Sequence, residues 1–471
     1  MPVSNNPNQT HFKNRVGWIS IASLHGAILA AALFLLAASG SGLAAEDARR
    51  TCGLGARAQT RPYLLLPDRA EGILPRRLSQ TGAFKDTRRL VPDGALIPYD
   101  LNVAFWSDGA DKSRWVAVPG GGRIRFAPTG EWAFPNGTVF VKHFDLATNE
   151  ARPQARRRLE TRLLVRDANG GVYGATYKWR ADSSDADLLA TNLTEAVLIQ
   201  TATGTRTQLW YYPSRSDCLV CHTANAGGVL GVKTRQMNRD FTFPNGVTDN
   251  QLRAWNHAGL FESNLNEAEL PAYPRLARAD DATRSIEDRA RSYLDANCAQ
   301  CHRPQGTVAS FDARYDTPPA RQDLVEGQVL INEGVDGARL IAPNDIWRSL
   351  LFMRVNTLEA FKMPPLARNC LDERGIALLR QWIESLPGPP VLAPPAIAPR
   401  GGNYDQPVEI ILKSEPGAHI HYTLDGSVPT TSDPVYTAPI RLTGPTILRA
   451  KSFKPGYTKS ITAQEVFIIG S

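Results

Sequence analysis

The chain has 471 residues, 42% hydrophobic and 21% charged, which excludes wholesale disorder and allows more than one buried core. Its 53 basic and 46 acidic residues leave a formal charge of +7, and removal of Lys13 and Arg15 with the leader described next would lower it to +5. So small an excess gives little reason to expect nucleic acid or an anionic membrane as partner, and the run Arg156–Arg158 reads as a solvated face.

Residues 1–45 carry Lys13 and Arg15, then an acid-free apolar run from Val16 that ends in small residues. They read as a secretory signal peptide cleaved near Ala45, with an uncleaved anchor as the alternative, because the run approaches the roughly 20 residues of a spanning helix. The mature protein is therefore expected to be periplasmic or secreted. Residues 46–95, rich in Pro and Arg, show no sustained period and read as an extended segment. Over 96–213, turn signals such as Pro-Asn-Gly and Ala-Asn-Gly-Gly separate short β-branched and aromatic runs, the pattern of a β-rich domain.

Residues 214–279 hold "SDCLVCH" and a short helix with Leu252, Trp255 and Leu260 at near-helical spacing. Within 280–388, Ser285 caps a helix whose Ile286, Ala290, Tyr293 and Leu294 share a face and which runs straight into "ANCAQCH". A second helix is capped near Asp372, carries Ile376, Leu379, Trp382 and Ile383, and stops at Pro387. Residues 389–402 read as a stiff Pro-rich linker. Residues 403–471 alternate cleanly between turns at Pro-Gly and Asp-Gly, as in a small antiparallel β-sandwich.

The five-residue frame Cys-x-x-Cys-His occurs twice, as Cys218, Cys221, His222 and as Cys298, Cys301, His302. Two thiols can add across the vinyl groups of a haem while the adjacent imidazole binds its iron, and this frame supplies all three groups on one turn of chain. From this composition the chance frequency of one copy is on the order of 10⁻³, so two copies are not coincidence. Zinc is disfavoured because 76 residues separate Cys221 from Cys298, whereas ribbon-type sites keep their pairs some 15 to 20 apart. A thiol–disulfide site would need a βαβ context, which the pattern does not offer. The expected cofactors are thus two covalently attached haem c groups, with iron bound by His222 and His302. The remaining cysteines, Cys52 and Cys370, are candidates for pairing in an oxidising compartment.

For the second iron, Met363 in "FKMPPLARNC" is the candidate sixth ligand, with core filler as the bland alternative. For the first iron the choice stays open among Met237, His257, His143 and an open or water-bound position. Phe105, Trp106 and Trp115 are candidates to line that haem, with plain core packing as the commoner role of strand aromatics.

Taken in order, "NVAFWSDGADKSRWVAVP", "RRRLETRLLV", "SDCLVCH", "LGVKTRQMNRDF", "RARSYLDANCAQCHRPQG", "LIAPNDIWRSLLFMRV" and "MPPLARNC" resemble a largely uncharacterised family of di-haem c-type cytochromes over about residues 50–388. "CAQCH", "MPP" and the Trp382 helix resemble the class I cytochrome c domain over about 280–388. The segment around "YTLDGSVPT" resembles the C-terminal β-sandwich of chitobiase and β-hexosaminidase; Asp425 and Gly426 there read as turn residues, and His419 and His421 as strand residues. The resemblances imply a multidomain chain: a β-rich N-terminal domain, a mainly α cytochrome c-like haem domain and a C-terminal Ig-like β-sandwich.

The function this implies is electron transfer with a redox protein or small-molecule donor or acceptor as partner, no nucleic acid, no membrane after leader cleavage, and no catalytic residue assigned. One alternative is a di-haem peroxidase, oxidase or oxygenase with an open first haem; another is a polysaccharide- or surface-binding protein acting through 403–471.

Overall fold

The computed structural model describes residues 52–55, 64–307 and 311–470, and the expected leader lies outside them. The β-branched and aromatic runs read over 96–213 build an antiparallel meander. After a small hairpin of β1 (Phe84–Asp86) and β2 (Val91–Pro92) come β3 (Ile97–Pro98), β4 (Asp111–Ala117), β5 (Val139–Ala147), β6 (Arg156–Arg166), β7 (Val172–Trp179) and β8 (Ala186–Leu188). These last six pair in chain order as one antiparallel sheet. Because side chains alternate across a strand, the sheet has two distinct faces. Val141, Leu163, Ala175 and Tyr177 bury one face beneath Leu64, Leu74, Leu78 and Phe84. On the other, Val116 and Phe140 pack with Trp132, Trp255, Leu252 and Met237.

A separate hairpin, β9 (Leu193–Thr201) and β10 (Gly204–Tyr212), leads into α1 (Arg215–Cys221), which lies against β7. Next come α2 (Thr234–Met237), the short ladder β11 (Asp240–Thr242) and β12 (Thr248–Asn250), and α3 (Gln251–His257), which Asn250 caps by accepting from the Leu252 N–H. The Ser285 cap predicted from sequence is present, accepting from Asp288 N at the start of α4 (Ile286–Asn297). The chain continues through α5 (Leu350–Val355) to α6 (Glu373–Ser385), capped by Asp372. Ala290 and Leu294 of α4 pack on Leu379, Trp382 and Ile383 of α6, the stripe that the 3.6-residue period anticipates.

The expectation of a mainly α, cytochrome c-like domain over 280–388 is not met. Three helices, of 12, 6 and 13 residues, are the α-helix among its described residues, and the molecule is β-rich. The cap and stripe signals at Ser285 and Asp372 are local and hold. Between them, residues 298–307, 311–349 and 356–372 run as turns, isolated bridges and one short 3-10 helix (Pro319–Arg321), with Gln305, Asp323, Glu326, Glu333, Asn344 and Ala367 all at positive φ, a backbone state incompatible with continuing a right-handed helix.

Beyond residue 390, β13 (Ala396–Ala398), β14 (Gly402–Tyr404), β15 (Val408–Lys413), β16 (His419–Thr423), β17 (Ile440–Leu442), β18 (Thr446–Phe453) and β19 (Ala463–Ile469) form two sheets, β13-β15-β17 and β14-β19-β18-β16. They face each other over Val408, Ile410, Leu412, Leu448 and Phe467, the period-2 pattern visible in "VEIILKS". The Pro-rich stretch 389–402 is not a free spacer: it contributes β13, and Leu392 is fully buried with its N–H bonded to Thr458 O. Asp336 ties the sandwich to the preceding region by accepting from Lys451 Nζ at 2.5 Å and Thr462 Oγ1 at 2.7 Å.

Candidate functional site

The first frame is delivered by a strand and a single capped turn. Ser214 caps α1 by accepting from Asp217 N, and the Asp217 carboxylate accepts in return from Ser214 N at 2.8 Å and from Tyr211 OH at 2.7 Å. This reciprocal cap holds Cys218, Cys221 and His222 at the end of β10, over β7. Gly174 of β7 makes the approach possible: a Cβ there would lie 2.5 Å from Cys218 Sγ.

Cys218, Cys221 and His222 together line a cavity of about 210 Å³. His222 sits in a C-cap position, and its Nδ1 donates to Gly228 O at 2.8 Å. That bond fixes the tautomer and leaves Nε2 with its lone pair, the arrangement of a metal-ligating imidazole. Burial lowers the His222 pKa to about 4, outweighing the Gly228 bond that would raise it, and the charges of Lys142 and Arg162 add smaller shifts in the same downward direction, so the ring is neutral at neutral pH.

The sheet wall of the cavity is cationic. Arg114 of β4, Lys142 of β5 and Arg162 of β6 line it, with Phe105, Phe140, Leu164 and Trp210 between them. Arg114 donates to Asp100 at 2.7 Å, and Arg162 grips Glu160 through two bonds of 2.5 and 2.9 Å, with Trp210 Nε1 also donating to Glu160. Burial acts first on Arg162 and would lower it, yet the Glu160 pair wins and its pKa rises. Lys142 makes no ion pair among the described residues and lies over the Phe144 ring. Burial, then Lys112, Arg114 and Arg162, hold it well below the usual lysine range.

The second frame meets the first. The thiols of Cys221 and Cys301 interact: that interaction and burial push the Cys221 thiol up, while Cys301 is drawn down. Arg303 donates to Asn225 O and to Glu131 at 3.0 Å, and Asn225 donates to Pro304 O. Beneath them Asp295 of α4, fully buried, takes Lys233 at 2.9 Å and Arg235 at 2.7 Å. Burial raises the Asp295 pKa but the two cations outweigh it, leaving it well below the carboxylate range. His302 stacks on Phe311, with centroids 4.2 Å apart and planes at 18°, and its Nδ1 lies 3.4 Å from Thr307 Oγ1. Burial and then Arg354 lower the His302 pKa to about 4.

The other candidates fall elsewhere. Met237 is fully buried in the core with Trp132 and Trp255. His257 is exposed and pairs with Glu267 at 2.8 Å. His143 is buried on the far face of the sheet, 2.8 Å from Thr161 Oγ1 and edge-on to Trp179. None of the three lines the cavity. Of the aromatics, Phe105 lines it, Trp115 packs on Phe84 across the sheet, and Trp106 Nε1 donates to Cys370 O. Met363 lies in the loop after α5, its N–H bonded to Arg354 O and its carbonyl accepting from Arg368. Cys370 carries no disulfide; its N–H and that of Asn369 donate to Asp108.

Sequence reasoning missed Arg114, Lys142, Arg162 and Glu160 as site residues. Strand parity is the signal that would have found them, but β5 has apolar residues on both faces, Val139 and Val141 on one and Phe140 and Phe144 on the other, so alternation alone could not say which side was open.

Among the described residues, no group of three or more Cys, His, Asp or Glu lies close enough to hold an ion. The first cysteine of each frame, Cys218 and Cys298, has its pKa raised by burial, to about 12 for Cys298. An attacking redox thiol needs the opposite shift.

Comparison with known proteins finds one family: residues 399–464 match the chitobiase/β-hexosaminidase C-terminal domain, in agreement with the β-sandwich seen there. No curated protein and no solved structure matches the chain.

Proposed function

We propose that this protein is an exported di-haem c-type electron carrier. The observation that supports the reading is that the two thiols and the imidazole of the first frame line one cavity while His222 Nδ1 is committed to Gly228 O. A bound haem would supply a one-electron Fe(III)/Fe(II) couple. Cys218 and Cys221 would hold the first ring and His222 its iron; Cys298, Cys301 and His302 would hold the second, with Met363 as its sixth ligand. The residues fit such a group: both imidazoles are neutral, Gly174 leaves room for Cys218, and the apolar and cationic walls suit a flat macrocycle with carboxylate arms. The sheet and the loops around Leu230 and Leu366 line the cavity together with the frame, and such surroundings would tune the potential of a bound haem.

Intact mass and pyridine haemochrome absorbance of protein exported through a cytochrome c maturation system test this. Two covalent haems per chain are expected, and one in a Cys218→Ser/Cys221→Ser variant; a mature protein without covalent haem overturns the reading.

A second reading is enzymatic, a peroxidase, oxidase or oxygenase at the first iron. It is favoured by the placement of Met237, His257 and His143 away from the cavity. An EPR spectrum with one high-spin ferric signal and peroxide-dependent turnover would favour it over pure electron transfer. The C-terminal sandwich would serve as a docking module for a surface or polysaccharide in either case, a role supported by the family match.

A further inference from the structure

The cationic wall has an order that neither frame requires. Across adjacent strands, Arg114 faces Lys142, Lys142 faces Arg162, and Arg162 faces Thr176. Three cations thus stand directly opposite one another on the cavity face of β4, β5 and β6, and like charges so placed destabilise a sheet. Lys112 adds a fourth nearby: its Nζ donates to Phe105 O at 2.6 Å, and burial, then Arg114 and Arg162, lower it to about 7. The nearby acids are committed elsewhere than to Lys142: Asp108 accepts from Asn369 and Cys370 N–H, and Asp217 from Ser214 N and Tyr211 OH. Asp100 answers Arg114 and Glu160 answers Arg162, while Asp295 and Glu131 are taken by Lys233, Arg235 and Arg303. Lys142, in the middle, has no anionic partner among the described residues. At the end of the row, Thr176 is buried, 3% exposed, and its Oγ1 has no hydrogen-bond partner.

The row also has a direction. Thr176 and Gly174 share a face of β7, and Cys218 sits over Gly174. Strands lie about 4.8 Å apart, so Lys142 stands roughly 10 Å and Arg114 roughly 14 Å from the strand beneath the thiol. That is the scale of a porphyrin, whose propionates hang from the edge opposite its vinyl groups.

Resting on the haem reading above, we propose that Arg114, Lys142 and Arg162 form the carboxylate seat for the propionates of the ring joined at Cys218 and Cys221, with Lys142 the direct ion-pair partner. The propionates relieve the cross-strand repulsion, and the row sets which way the ring lies on the sheet.

The test compares full-length, haem-loaded wild type with Lys142→Gln, Lys142→Arg and Arg114→Gln. Intact mass counts attached haem, and an equilibrium redox titration reads both midpoint potentials. An ammonium beside the ring favours the less positive, reduced iron, so Lys142→Gln is expected to keep two haems but show one midpoint shifted downward and the other unchanged, with Lys142→Arg restoring most of the shift. Where Lys142→Gln fails to load the first haem, Arg114→Gln gives the same reading. Two haems with both potentials as in wild type overturn the seat and leave the haem reading intact; wild type without covalent haem overturns both, and the mass alone tells these apart. A wild-type potential that moves with added phosphate or acetate at constant ionic strength would place a diffusible anion in the row and also overturn the proposal.

Discussion

The two Cys-x-x-Cys-His frames differ in almost everything except their five residues. The first is a short capped helix laid on a β-sheet, with its imidazole aimed by a 2.8 Å bond to Gly228 O and a cavity in front of it. The second ends a 12-residue helix and packs its imidazole flat on Phe311. An attachment frame needs only one turn of backbone, so it can be carried by either kind of element. Its surroundings decide solvent access and charge and, on the haem reading proposed above, would decide what can approach the iron.

The largest expected effect tests what binds the two frames together. Asp295→Ala leaves Lys233 and Arg235 buried without their shared carboxylate, and should cost about 3–5 kcal/mol in urea unfolding. A loss under about 1 kcal/mol would mean the frames are joined by packing alone.

Acidification probes both imidazoles. Each has its folded pKa lowered from 6.5 to about 4, so between those values the unfolded chain binds protons that the folded one refuses. Stability of the haem-free protein should therefore fall as pH drops from about 6.5 to 4, by roughly 2–3 kcal/mol for His222. His222→Asn should flatten its share of that slope, and an unchanged pH profile of the urea midpoint would contradict the burial argument.

Gly174→Ala places a methyl 2.5 Å from Cys218 Sγ, and should cost about 1–3 kcal/mol while lowering haem loading at the first frame and not the second. Equal loss at both frames would mean that Gly174 supports the whole sheet rather than one helix. The smallest effect belongs to the distal contact: Asp336→Ala removes the acceptor of Lys451 and Thr462, and should cost about 1 kcal/mol and increase proteolytic cleavage between residues 387 and 402 without altering haem content.

Much of this molecule can be read along the chain. The capping residues Ser214, Asn250, Ser285 and Asp372 and the apolar stripe of α6 are local signals, satisfied within a few residues of backbone. The same holds for the period-2 alternation of the C-terminal strands and for the frames themselves. The helical reading of 280–388 failed for the complementary reason. Two real helices flank a long stretch whose turns answer to contacts with distant residues, as when Asn369 and Cys370 donate to Asp108 some 260 positions away.

The site divides along the same line. The sequence by itself determined the two Cys-x-x-Cys-His frames on which the haem proposal rests, because each is written in adjacent positions. Alternation along β5 puts His143 and Lys142 on opposite faces, and only the tertiary structure decided which face is core and which is cavity, the histidine buried and the lysine lining the cavity. It alone set Arg114 and Arg162 opposite Lys142 and brought Cys221 to Cys301. Strand register and the burial of one face over the other are collective outcomes of packing, and no stretch of sequence carries them on its own.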